Sequence, residues 1–98
     1  MQDERRIAVL IDGDNAQASL LSPALAEIGK HGRITIRRIY GDWTSTFMTQ
    51  WKEILNENAI TPIQQFAFSQ GKNSTDSSMI IDAMDILHSG QVNGFAIL

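Results

Sequence analysis

The run Ile7-Ala8-Val9-Leu10-Ile11, closed abruptly by Asp12-Gly13-Asp14-Asn15, constrains the fold more than any other stretch of this 98-residue chain. An unbroken apolar run bounded by a turn signal predicts a strand buried on both faces, as in the interior of a parallel sheet. Such sheets place ligands just outside the carboxyl ends of their strands. A strand ending in Asp-Gly-Asp-Asn therefore delivers negative charge to the edge where chemistry is done. The chain has no Cys, and no His stands near these acids. Carboxylates in that setting suit a hard cation, Mg²⁺ or Mn²⁺, better than zinc. The same four residues also make an ordinary strand-to-helix turn, because Asp, Gly and Asn favour turns and Asp or Asn caps helices.

The rest of the chain repeats the alternation of strand and helix. Leu21, Leu25 and Ile28 fall at i, i+4 and i+7 and predict a helix between Gln17 and Gly32. Ser22 would cap it, Pro23 would take its first position and Gly32 would stop it. Residues 15–21 form either a separate turn or the start of a helix kinked at Pro23. Residues 33–40, rich in Ile and Arg, predict a second strand less buried than the first. Thr44 or Ser45 can cap a second helix with the stripe Phe47, Trp51, Ile54, Leu55 and Asn58. Residues 60–68 give a third strand, with Pro62 near its start, where a missing N–H does least harm. Asn73-Ser74-Thr75-Asp76 opens a third helix bearing Met79, Ile80, Ala83, Met84 and Leu87, and His88-Ser89-Gly90 closes it. Residues 94–98 begin a fourth strand. The βαβαβαβ order predicts an α/β fold, a parallel sheet with helices on its faces and right-handed crossovers. We expect one domain over residues 1–98, truncated after its fourth strand.

A domain of this size buries about 60–70% of its unfolded surface. The net charge of −3 gives no global basic field, which argues against a tight, non-catalytic nucleic-acid binder. It is compatible with an enzyme that holds its substrate partly through metal ions. The absence of Cys excludes disulfides and Cys-type zinc sites. No signal peptide or membrane span is evident, so a soluble, cytoplasmic protein is expected.

The acids recur after successive strands. Asp12 and Asp14 follow the first, Asp42 in Tyr40-Gly41-Asp42-Trp43 follows the second, and Asp76 heads the helix after the third. All these connections leave the same edge of a parallel sheet, so the carboxylates can converge there; a bound cation is a usual reason to tolerate such a gathering. Each also has a simpler role, Asp76 in favouring a helix dipole and Asp42 as a turn residue. Asp82 lies on the third helix about 120° round from Asp76, among apolar neighbours that suit partial burial, whereas Asp85 faces solvent. Lys72, Arg37 and Arg38 can contact a phosphate or stand solvated. Trp43 can stack on a base or pack at the rim. His31 and His88 sit at helix ends, where a cation suits the dipole.

Taken in order, Ile11-Asp12-Gly13-Asp14-Asn15, Tyr40-Gly41-Asp42-Trp43, Lys72-Asn73-Ser74-Thr75-Asp76 and Ile80-Ile81-Asp82-Ala83-Met84 resemble the NYN domain of the PIN-like nucleases. The resemblance covers nearly the whole chain. It implies a PIN-like three-layer α/β/α fold with a central parallel sheet, binding one or two divalent metals, Mg²⁺ or Mn²⁺, and hydrolysing RNA phosphodiesters. Carried onto this sequence, it makes Asp12 and Asp76 the catalytic metal-binding acids and Asp82 a further candidate ligand. Asn15 matches the small polar residue after the first acid and, with Lys72, is a candidate substrate contact. The family's next acidic cluster would follow the fourth strand, where this chain ends, so the chain as given is expected to hold only part of the metal site.

Two other readings compete. Asp12-Gly13-Asp14 offers the Asp-x-Asp pair of a haloacid-dehalogenase-like phosphatase, although Ala16 stands where that motif wants Thr or Val. A non-catalytic RNA-binding or protein-interaction module on the same fold is the other. Dinucleotide binding is disfavoured, since no Gly-x-Gly-x-x-Gly follows the first strand. The expected partners are an RNA substrate and no membrane, with a homodimer or partner domain covering the open sheet.

Overall fold

The computed structural model describes residues 5–44, 46–65 and 74–98, and for residues 46–47 and 74–77 only their place in a helix. Strand β1 spans Arg6–Asp12. A 3₁₀ turn over Ala18–Leu20 leads into helix α1 at Leu21–Gly29. Strand β2 is Arg33–Gly41, and a 3₁₀ run at Thr46–Trp51 feeds helix α2 at Lys52–Asn58. Strand β3 is Thr61–Gln64, helix α3 Ser74–Ser89 and strand β4 Gly94–Ile97. The strands form one sheet in the order β3-β2-β1-β4, every pair parallel. The expected parallel α/β architecture is the one observed.

The apolar run earns its central place. Ala8, Val9, Leu10 and Ile11 have no solvent exposure, because β1 has a neighbour on each side and helices over each face. Alternation divides its side chains between two cores. Ile7, Val9 and Ile11 pack with Leu21 and Leu25 of α1 and with Met48, Trp51 and Leu55 around α2. Ala8 and Leu10 pack with Tyr40 and with Met79 and Ile86 of α3. These are the three layers, α1 and α2 on one face and α3 on the other.

Register shows where β2 departs from simple alternation. Ile7 pairs with Ile34 but Ala8 pairs with Ile36, so Thr35 is an extra residue in β2. This bulge puts Ile34 in one core and Ile36 in the other. From Ile36 onward the strand alternates cleanly, with Arg38 opposite Leu10 and Tyr40 opposite Asp12.

Several expected boundaries move. Helix α1 starts at Leu21, with Pro23 in its first turn, and ends at Gly29 without waiting for Gly32. Its backbone enters directly from the 3₁₀ turn, so no side-chain cap at Ser22 is needed. The second helix likewise enters through 3₁₀ geometry, with Met48 fully buried beside Trp51. The third strand is described only over Thr61–Gln64, and its expected continuation past residue 65 lies outside the described residues.

The largest correction concerns the face of α3. Met79 and Ile86 are buried with Ala83 packed beside them, whereas Ile80, Met84 and Leu87 are about half exposed or more. The two stripes lie side by side on the helix, and apolar periodicity alone does not choose between them. In the structure the helix is turned so that Asp82, on the side of Met79 and Ile86, meets Arg38 and Tyr40 of β2. Among the described residues, no helix is long and apolar enough to cross a membrane.

Candidate functional site at the carboxyl edge of the sheet

Asp12 ends β1, and its turn is built from its own backbone. Its carbonyl accepts the amides of Asn15 (3.2 Å) and Ala16 (2.8 Å), and its amide donates to the Leu98 carbonyl of the β4 chain (3.2 Å). The half-buried carboxylate is held at both oxygens. Oδ1 accepts the Asp14 amide at 3.2 Å, and Oδ2 accepts Asn15 Nδ2 at 2.7 Å. An ionised carboxylate offers about four lone-pair directions, so these two donors orient Asp12 and leave it free to accept more. By alternation Asp12 lies on the α3 side of the sheet, beyond Ala8 and Leu10.

Asp14 lies across the edge from Asp12. Its Oδ1 would be 3.2 Å from a Cβ on Gly41, next to Met48, on the side covered by α1 and α2. The two acids of Asp-Gly-Asp thus straddle the sheet. Asp42 is committed elsewhere. Its Oδ1 accepts the Thr44 amide (3.1 Å), the Thr44 hydroxyl and Gln64 Nε2 (3.0 Å). Those bonds, the hydroxyl's first, hold its carboxyl below the ordinary carboxylate range. Trp43 donates its amide to Gln64 Oε1 and its indole N–H to the Ile63 carbonyl. Asp42 and Trp43 therefore fasten the loop after β2 to the end of β3, as a turn residue and a rim aromatic do.

Topology places the remaining acids. Strand β3 ends beside Gly41 at the carboxyl edge, and β4 begins beside Ile7 at the amino edge. Helix α3 must run from the first edge to the second, antiparallel to the strands, so its first turn, with Asp76, belongs to the edge where Asp12 sits. The Asp76 side chain and all of Lys72 lie outside the described residues. Asp82, six residues further on, meets β2. Its Oδ2 accepts the Tyr40 hydroxyl at 2.7 Å and Arg38 Nη1 at 3.2 Å, with Asp82 and Arg38 each about one-third exposed.

Sequence reasoning missed the contact among Arg38, Tyr40 and Asp82. Its signal was present: Arg38 and Tyr40 share one face of β2, and Asp82 interrupts an apolar stretch of α3. Arg38 is thus paired, and Arg37 donates to the Asn58 carbonyl at 2.7 Å. His31 lies 3.9 Å from Glu27 on the surface, and His88 ends α3. Neither histidine adjoins the acids. Among the described residues, no three His, Cys, Asp or Glu side chains gather to hold a metal ion.

A three-layer α/β domain with oriented carboxylates at the carboxyl edge of a parallel sheet has the architecture of the PIN-like nuclease domains. Residues 6–98 match the family model of the NYN domain, and the chain belongs to that nuclease-like family. No curated protein and no solved structure matches the chain.

Proposed function

We propose that this domain is a divalent-metal-dependent ribonuclease. The observation that carries the reading is the Asp12 carboxylate, oriented by Asn15 and the Asp14 amide at the sheet edge where the first turn of α3 brings Asp76. The donor set fits the metal. Mg²⁺ and Mn²⁺ prefer oxygen, and Mg²⁺ is commonly held by one or two carboxylates together with substrate phosphates.

Asp12 and Asp76 would hold the ion, which when bound would activate a water for attack and stabilise charge on the scissile phosphate. The chain's own residues prepare that site. Asn15 and the Asp14 amide fix both oxygens of Asp12 before substrate arrives. The same Asn15 and the cationic Lys72 are placed in sequence to meet the RNA backbone, where a lysine acts as a point charge on phosphate. The partner is accordingly RNA.

The test is cleavage of a labelled single-stranded RNA by the full-length gene product, with Mn²⁺ and with EDTA, beside Asp12→Asn. Cleavage that requires both the metal and Asp12 is the expected result. RNA binding that survives EDTA and Asp12→Asn, without cleavage, would replace this reading with a non-catalytic RNA-binding module. Hydrolysis of a small phosphoester lost in Asp14→Asn would replace it with a phosphatase.

A further inference from the structure

Tyr40 stands between the two parts of the site. Its hydroxyl donates to Asp82 on α3 at 2.7 Å, and its backbone carbonyl accepts the Gly13 amide at 2.8 Å. Gly13 sits between Asp12 and Asp14, and Asp12 is the register partner of Tyr40 across the sheet. Tyr40 has no solvent exposure, so its position is set by packing and by these two bonds. Asp82 is therefore linked to the acid loop through one fully buried residue, by its hydroxyl on one side and its main-chain carbonyl on the other.

Both contacts to Asp82 fall on the same oxygen, Oδ2, and one of them comes from a guanidinium. A carboxylate already neutralised by an arginine and hydrogen-bonded to a buried phenol is poorly placed to serve a cation as well. A cation taking Oδ2 would strip the buried Tyr40 hydroxyl of this acceptor, and a buried donor left without one is costly. Asp82 is also about 9 Å along the helix axis from Asp76, and about 120° round it. The two acids do not share one face of α3.

We infer that Asp82 is a positioning residue. It fixes the rotation of α3 against β2 and, through Tyr40, the seat of the Gly13 loop, so that Asp76 and Asp12 are presented together while Asp82 itself binds no metal. This rests on the ribonuclease reading above, but its two links can be read without catalysis.

The experiment compares wild type, Asp12→Asn, Asp82→Asn, Tyr40→Phe and the Tyr40→Phe/Asp82→Asn double variant of the full-length protein. Mn²⁺ binding is followed by calorimetry, RNA cleavage at saturating Mn²⁺, and the Gly13 amide by NMR chemical shift and hydrogen exchange. Asp12→Asn should weaken Mn²⁺ about 10-fold or more, whereas Asp82→Asn and Tyr40→Phe should leave its affinity within about 2-fold. Both should lower kcat about 10-fold or more without changing the Mn²⁺ dependence. The double variant should be no worse than the poorer single one, as residues acting through one path are not additive. The Gly13 amide should shift and exchange faster in both variants, a local change that general loss of stability would not confine to that loop.

Weakened Mn²⁺ binding in Asp82→Asn, comparable to Asp12→Asn, would overturn the proposal and make Asp82 a ligand. Additive losses in the double variant, or an unmoved Gly13 amide, would overturn the path through Tyr40. If wild type binds neither Mn²⁺ nor cleaves RNA, the ribonuclease reading fails by itself, and the Gly13 amide still decides whether Asp82 seats the loop.

Discussion

The Gly13 amide donates to the Tyr40 carbonyl at 2.8 Å, joining the loop that carries Asp12 and Asp14 to the strand beside it. That approach explains the glycine. A Cβ on Gly13 would meet the Tyr40 carbonyl oxygen, Ile39 Cγ1 and Met48 Cε, each at 2.9 Å. The backbone oxygen cannot move aside without shifting β2. Gly41 is crowded differently: the tightest contact there would be Met48 Cε at 2.5 Å, the tip of a flexible side chain.

Two substitutions of equal size should therefore differ. Gly13→Ala is expected to cost about 1–3 kcal/mol, the usual range for overpacking a close-fitted site. Gly41→Ala should cost less, because Met48 can swing away, and Met48→Ala should relieve Gly41→Ala more than it relieves Gly13→Ala. Urea denaturation of the three single variants and the two doubles that carry Met48→Ala checks both statements. A Gly41→Ala loss as large as that of Gly13→Ala would refute them.

Tyr40 is the chain's one tyrosine, which makes its titration directly observable. Burial, then the hydrogen bond to Asp82 and that carboxylate's charge, push its pKa well above the ordinary value near 10, against a smaller opposing effect of Arg38. The folded-state pKa is raised, so this contribution to stability is complete below about pH 10, where an unfolded tyrosine begins to ionise. It is lost as the pH climbs from there toward the folded value. Tyrosinate absorbance should stay absent from the native protein under conditions that ionise a free tyrosine. The stability gap between wild type and Tyr40→Phe should narrow over the same alkaline range. An ordinary tyrosine titration in the native state would show that the hydroxyl is not held as described.

Helix α3 allows a sharper test of which apolar residues hold the fold. Met79 is buried at 7% exposure, and Met84 on the same helix is 49% exposed. Met79→Ala should cost about 2–4 kcal/mol, as expected for truncating a core side chain. Met84→Ala should stay within about 0.5 kcal/mol, as surface changes do. Equal losses in thermal melts would mean that the Ile80, Met84 and Leu87 stripe is covered in solution.

What the chain discloses by itself follows from where its signals are unambiguous. Ile7 to Ile11 could only be an inner strand, and once it was placed, the alternation of elements gave the parallel sheet and put Asp12 at its carboxyl edge. The rotation of α3 was not legible, because Ile80, Met84 and Leu87 compete with Met79, Ala83 and Ile86 for the same spacing, and a contact 42 residues away decides between them. The Thr35 bulge was hidden for a similar reason, since only the pairing with β1 shows the extra residue. The separation of Asp12 from Asp14 across the sheet follows from Gly13 docking on Tyr40, which no local pattern carries.

Ala59 holds the end of α2 in a left-handed conformation, φ 54° and ψ 49°, and is the one non-glycine at positive φ among the described residues. Its amide and that of Ile60 both return to the Leu55 carbonyl. A left-handed alanine costs about 1–2 kcal/mol, and glycine there forfeits about 0.5–1 kcal/mol of chain entropy. Ala59→Gly should therefore stabilise the domain by up to about 1 kcal/mol, read as a higher urea midpoint at unchanged slope. A lower midpoint would mean that the strain is already relieved.

Asn15 offers the cleanest separation of site from scaffold. It is exposed, and its one described side-chain bond is the 2.7 Å contact from Nδ2 to Asp12 Oδ2. Removing it should leave stability within about 0.5 kcal/mol, because no core atom depends on it. Removing a group that orients a ligating carboxylate typically costs 10–100-fold in metal affinity or activity, and Asn15→Ala should lower Mn²⁺-dependent RNA cleavage by about that factor. Asn15→Asp should be at least as poor, since it replaces the donor to Oδ2 with a second negative charge at hydrogen-bond distance. Parallel melts and cleavage assays on the full-length protein make the comparison. If Asn15→Ala cleaves RNA at the wild-type rate, the Asp12 carboxylate is oriented by the Asp14 amide alone, and Asn15 plays no part in presenting it.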